Sequence, residues 1–75
     1  MVQPTSQIPL WHLHDGNGMR ATCSLRPTGQ AWLVVVENGS TQWIWEQHRL
    51  EHSALERAAE VYGIFSELGF KESVH

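Results

Sequence analysis

The sequence predicts an α+β fold, a two-layer ββββα sandwich in which a four-stranded antiparallel meander carries one C-terminal helix on one face. Three observations support this prediction. Strand-like segments alternate with short turn sequences through the first part of the chain, a capping-box sequence follows them, and the remaining apolar residues recur at helical spacing. Because no repeat or linker divides the 75 residues, we expect a single domain over residues 1–75, with residues 1–7 as a loose tail.

The four predicted strands are short, and each is followed by residues that favour tight turns. Short connections join antiparallel neighbours, so consecutive strands are expected to pair as a meander. The turn sequences are Asp15-Gly16-Asn17-Gly18, Pro27-Thr28-Gly29 and Asn38-Gly39. The predicted strands are Ile8–His14, Met19–Arg26, Ala31–Glu37 and Thr41–Glu46.

The predicted helix has a recognisable beginning and end. Ser53 and Glu56 have the spacing of a capping box, in which each side chain accepts a hydrogen bond from a first-turn N–H group. Gly69 lies where a left-handed C-terminal cap belongs, and Phe70 is expected to pack back on Phe65 as in a Schellman motif. The apolar positions at helical spacing are Leu55, Ala58, Ala59, Val61, Tyr62, Phe65 and Leu68.

The third strand is apolar from Ala31 to Val36, so side chains on both of its faces avoid water. With short hairpin loops, the predicted register places His12, His14, Trp32, Trp43 and Trp45 on the face that receives the helix. The opposite, outer face then has an apolar centre with charged residues near the strand ends, which is typical of a binding surface. The residues predicted to bind a partner protein or a second copy of the chain are Trp11, Leu13, Leu33, Val35 and Ile44.

The sequence contains no arrangement that indicates catalysis or metal binding. The pairs His12/His14 and His48/His52 are predicted at opposite ends of the sheet, about 20 Å apart, so they cannot supply one four-ligand zinc site. Cys23 is predicted within a strand on the core face, where a thiol is inert. We therefore expect no enzyme activity, no cofactor and no metal.

Two other functions remain open. A small-ligand or catalytic pocket is possible between helix and sheet near His12, His14 and Tyr62. A single-stranded nucleic-acid platform is possible around Trp11 with Arg20 and Arg26.

The net charge of −3 argues against duplex nucleic acid. The lone cysteine favours a cytoplasmic location, and the longest apolar run is too short to span a membrane. For the apolar outer face, the expected contact is a second copy of the chain, a partner protein or the N-terminal tail.

Overall fold

The computed structural model describes residues 7–72 and confirms the α+β prediction. Four strands follow one another as an antiparallel meander, one helix follows them, and a short fifth strand returns to the sheet. The strand order is β4-β3-β2-β1-β5. The elements are β1 (Ile8–His14), β2 (Arg20–Pro27), β3 (Trp32–Asn38), β4 (Thr41–His48), α1 (Glu51–Glu67) and β5 (Lys71–Glu72). The expected tail lies outside the described residues except for Gln7.

The core lies between helix α1 and one face of the sheet. Ala54, Ala58 and Val61 recur every three to four residues and form the buried stripe of the helix. These three helix residues pack on buried side chains of β1, β2 and β3. Two of the three are alanines, which lets the helix lie close to the strands. The buried strand residues of this cluster are Leu13, Ala21, Cys23, Leu25, Val34 and Val36.

The predicted start of the helix is wrong by about one turn. The helix begins at Glu51, its N-cap is Leu50, and no side chain caps it. Ser53 therefore lies within the first turn and does not act as the N-cap. Strand β4 continues to His48, two residues further than predicted, and leaves only a short connection before the helix. The carboxylate of Glu51 in the first turn complements the positive end of the helix dipole.

The predicted end of the helix matches the structure. Gly69 adopts a φ of 102°, in the left-handed region that favours glycine. The N–H of Phe70 donates to the carbonyl of Phe65 at 3.0 Å, and the N–H of Gly69 donates to the carbonyl of Ser66 at 3.1 Å. These are the two bonds of a Schellman motif. The Phe65 and Phe70 rings meet edge to face at 5.1 Å, and the chain then forms β5 beside β1.

The register of the first hairpin differs from the prediction by one residue. His14 pairs with Arg20 instead of Met19, because the carboxylate of Asp15 accepts hydrogen bonds from the N–H groups of Asn17 and Met19 and closes a longer loop. A one-residue slip exchanges the two faces of a strand. His12 and His14 are therefore on the outer face, and their predicted position beneath the helix is wrong. A bulge between Pro9 and Trp11 restores the predicted pairing further along, where Ile8 faces Leu25.

The second hairpin is shifted by two residues, which leaves the faces unchanged. Cys23 pairs with Val36 instead of Val34, because the loop spans four residues. The hydroxyl of Thr28 donates to the carbonyl of Ala31 and accepts from the Ala31 N–H, which holds this loop closed.

The third hairpin is shifted and then bulged. The turn is centred on Gly39-Ser40 instead of Asn38-Gly39, because Asn38 pairs with Thr41. A type I′ turn on Asn38-Gly39 would need a positive φ at Asn38. Gly39 has a φ of 61°, but no non-glycine residue among those described has a positive φ. A bulge between Glu37 and Val36 then leaves Trp43 as the extra residue on β4. As a result Ile44 pairs with Val36 on the helix face and Trp45 pairs with Val35 on the outer face. Both of these placements are opposite to the prediction.

Candidate functional site

The five residues predicted to form a partner-binding surface do not share one face. Trp11, Leu13 and Ile44 all pack on the core beneath the helix, and Leu13 has no exposed surface. Leu33 and Val35 lie on the outer face as predicted, where Leu33 is half-buried and Val35 is fully buried. The predicted outer apolar patch is therefore not present as a surface on the described part of the chain.

Trp11 holds the helix on the sheet. Its indole N–H donates a hydrogen bond of 3.1 Å to the carbonyl of Ala58. Its ring lies 5.8 Å from the Tyr62 ring and 6.1 Å from the Phe65 ring, centroid to centroid. These contacts give Trp11 a structural role, and they remove the stacking surface on which the single-stranded nucleic-acid alternative depended.

The centre of the outer face is covered by side chains of the chain itself. Ser24 and Val35 are paired there, and they are only 1% and 0% exposed. Arg26 and Glu37 flank this pair along the strands, and their charged ends approach to 3.9 Å, so their side chains extend over it. The Gln7 amide also donates to the Ser24 hydroxyl at 2.9 Å. Whether residues 1–6 add to this cover lies outside the described residues.

The residues of the alternative ligand pocket are not brought together. His12 and His14 lie on the outer face of β1, whereas Tyr62 lies on the helix side of the sheet. The Tyr62 hydroxyl donates to the Glu72 carboxylate at 2.9 Å, and this hydrogen bond raises the pKa of Tyr62. The bond ties the helix to β5 and makes no contact with either histidine.

Neither a reactive thiol nor a candidate metal cluster is found within the described residues. Burial raises the pKa of the Cys23 thiol to about 11, so the thiol stays protonated and is a poor nucleophile at neutral pH. No cluster of three or more His, Cys, Asp or Glu side chains suited to a metal ion occurs within residues 7–72.

Strand β4 is the most accessible long element of the structure. It forms one edge of the sheet with eight residues. At the other edge β5 pairs only with Leu13 and His14, so Ile8–His12 of β1, a stretch that contains Pro9 and a bulge, also has no neighbour on that side among the described residues. Trp45 projects from the outer face of β4 and is 55% exposed. Trp43, next to the bulge, stacks on Phe65 at 5.6 Å on the helix side and remains 37% exposed. An edge strand offers a row of main-chain N–H and C=O groups to another strand, and here exposed tryptophans flank that row on both sides.

The helix flank beside β4 extends this apolar surface. Arg57 contacts Glu46 of β4, so the side of the helix that carries Arg57 faces that strand. Ile64 lies two turns further along the same side and Leu68 three turns further, and they are 51% and 68% exposed. We call Trp43, Trp45, Ile64 and Leu68, together with the free edge of β4, the β4 edge surface.

Glu46 is the only acidic or basic residue of β4 apart from the terminal His48, and its charge is balanced within the chain. The Glu46 carboxylate accepts hydrogen bonds from the Arg57 Nε at 3.0 Å and Nη2 at 3.1 Å. This two-point contact with Arg57 is the main reason why the pKa of Glu46 is lowered. His48 lies 3.4 Å from the same carboxylate, and Glu60 lies 3.2 Å from Arg57. The β4 edge surface therefore carries no uncompensated carboxylate that would repel a neighbouring strand.

The sequence interpretation missed this surface because it placed Trp43 and Trp45 together under the helix. One signal was available. Trp43, Ile44 and Trp45 are three consecutive apolar residues, and a regular strand cannot direct them all to one face. Such a run at the edge of a sheet is compatible with a bulge that divides the tryptophans between the two sides.

Fold and surface together define a small α+β protein with a five-stranded antiparallel sheet, one covering helix and an eight-residue edge strand that has no neighbour on its outer side within residues 7–72. Comparisons of the chain with family models, with curated proteins and with solved structures gave no match. No helix within residues 7–72 is both long and apolar enough to cross a membrane.

Proposed function

We propose that this protein is a small non-catalytic binding module that docks another polypeptide on its β4 edge surface. The docked segment adds a strand to the sheet beside β4. The observation that carries the proposal is an eight-residue edge strand with an exposed tryptophan on either side. In strand addition, main-chain hydrogen bonds provide much of the affinity, and side-chain contacts on both sides provide specificity.

Three further features support this function over a pocket-based one. The outer face is covered by the Arg26–Glu37 ion pair, the thiol of Cys23 is buried and protonated, and His12 is on the opposite side of the sheet from Tyr62. Tryptophan is also the residue type most enriched among the side chains that dominate binding energy. Because the only thiol is buried and unpaired, the proposed setting is the reducing cytoplasm.

Photo-crosslinking tests the proposed docking surface. A benzophenone amino acid replaces Trp45 in one variant, and His12 in a matched control that is also exposed on the outer face of the sheet but far from β4. Irradiation of cells that produce each variant should give protein adducts at position 45 and none of them at position 12. The proposal fails if position 45 gives no adduct, or if both positions give the same adducts.

A further inference from the structure

We propose that the polypeptide docked on the β4 edge surface is a second copy of this chain, whose β4 pairs antiparallel with the first about a two-fold axis at Trp45. This inference rests on the proposed strand-addition function and names its partner. The two five-stranded sheets then form one continuous sheet of ten strands. An antiparallel edge can always meet its own copy in this way, because the two-fold axis presents the same row of donors and acceptors from both chains.

The pleat of the strand limits the register of such a pair. Side chains that oppose each other across two antiparallel strands lie on the same face of the sheet. Residues on one face are separated by an even number of positions, so a two-fold symmetric pair meets this condition only when one residue lies on the axis and pairs with its own copy. The bulge at Trp43 leaves Ile44–His48 as the regular part of the edge. Pairing centred on Glu46 would set each Trp45 opposite a Gln47, without the aromatic–aromatic cross-strand contact that stabilises a sheet. Pairing centred on Trp45 instead places two indoles side by side and sets each Glu46 opposite an Ile44.

The exposed apolar side chains of the β4 edge surface supply about half of a standard dimer interface. The exposed parts of the four apolar side chains of the β4 edge surface amount to on the order of 400 Å², from about 200–250 Å² for a whole tryptophan. A standard interface buries about 800 Å² per partner, so the strand backbone and the polar side chains of β4 must supply the remainder. Because the apolar part of this interface is small, we expect a reversible dimer.

Two measurements on the full chain test the dimer. Sedimentation equilibrium over a wide concentration range should show self-association of the wild type. Trp45→Lys should weaken it about tenfold or more, whereas His12→Lys, which is exposed and distant from β4, should leave it unchanged. Circular dichroism of each variant verifies that the fold is retained, which is expected because both positions are exposed.

Engineered cysteines test the register. Two residues that face each other across antiparallel strands have Cβ atoms about 4.5–5.5 Å apart, close to what a disulfide requires. Trp45→Cys should therefore form a disulfide-linked dimer under mild oxidation. Gln47→Cys is exposed on the same strand and face, but in this register its copy lies about 13 Å away, so it should remain unlinked. Cys23 is buried and gives no background.

The outcomes separate this inference from the proposed function. A wild type that stays monomeric at several hundred micromolar overturns the second-copy inference, as does linkage at position 47 instead of 45. If position 45 then still gives photo-adducts with other proteins, strand addition stands with a different partner. If position 45 gives no photo-adduct and the wild type is monomeric, both fail.

Discussion

Removing the side chain of Trp11 should destabilise the protein far more than removing that of Trp45. The two residues have the same chemistry, but Trp11 is clamped between sheet and helix, whereas Trp45 is 55% exposed at the edge. Truncation of a fully buried tryptophan costs about 3–5 kcal/mol. Trp11 is half-buried, so we assign about 2 kcal/mol to lost packing by scaling that range. Loss of the hydrogen bond to Ala58 adds about 1 kcal/mol.

The expected total of about 3 kcal/mol is large for this chain. A domain of 75 residues has a free energy of unfolding of about 4–11 kcal/mol. Trp11→Ala therefore removes roughly a quarter or more of it, whereas Trp45→Ala should cost about 1 kcal/mol or less. Urea unfolding followed by circular dichroism measures both values. Low protein concentration keeps any dimer from contributing by mass action.

Equal costs for the two variants, or a larger cost for Trp45→Ala, would refute this reasoning. Either result would mean that the first hairpin has the register in which Trp11 faces outward. The bulge near Leu10 and the longer loop closed by Asp15 would then be absent from the molecule.

Four further tests address the Glu46–Arg57 pair, the two ends of the helix and the buried thiol of Cys23. The hydrogen bonds from Arg57 lower the pKa of Glu46, so their contribution to stability is present above the ordinary value of 4.5 and is lost as the pH falls through the lower folded-state pKa. Glu46→Gln should therefore flatten the acid limb of the stability curve in urea titrations, by under about 1 kcal/mol because the pair is partly exposed. Ser53→Ala should change the free energy of unfolding by less than about 0.5 kcal/mol. Gly69→Ala should lower it by more than about 1 kcal/mol, because its φ of 102° strains any side chain. Cys23 should react with a thiol reagent only after unfolding, and fast labelling of the native protein would contradict its burial.

The fold class was predictable because its signals are local. Strand β1 was predicted to the residue, and the other strands to within two residues at either end. The Schellman motif followed from a glycine and two phenylalanines in the right order, since each of its contacts lies within six residues. The short strand Lys71–Glu72 has no such signal, because two residues carry no periodicity and only the proximity of β1 makes them a strand.

The helix start shows how an attractive local motif can be overridden. Ser53 and Glu56 have capping-box spacing, yet the helix starts at Glu51. In the structure β4 runs on to His48, and the helix follows after two residues. A serine inside the first turn costs little helix propensity, so nothing in the local sequence opposes the earlier start.

The faces of the sheet were not predictable, because each depends on one-residue differences in loops and bulges. A loop one residue longer after His14 directed Trp11 inward, and the extra residue at Trp43 directed Trp45 outward. Composition does not separate the outcomes on β4, where Trp43, Ile44 and Trp45 are all apolar, although on β1 the exchange also placed Leu13 in the core and His12 and His14 on the outer face. The error therefore fell on the site residues and left the fold class unaffected.

The same longer loop and the same bulge explain why the edge is the remaining candidate for binding. With Trp11 and Ile44 drawn into the core, the only apolar residue at the centre of the outer face is Val35, and Arg26 and Glu37 cover it. With Trp45 directed outward, the edge gains a large apolar side chain that nothing in the described part of the chain fully covers. Natural edge strands are commonly protected by lysine, proline or an unpaired charge. β4 has no lysine and no proline, and the helix holds its one carboxylate through Arg57, so its protection is limited to Glu46 and the bulge at Trp43. A long edge with so little protection is the part of this molecule most suited to receive another strand.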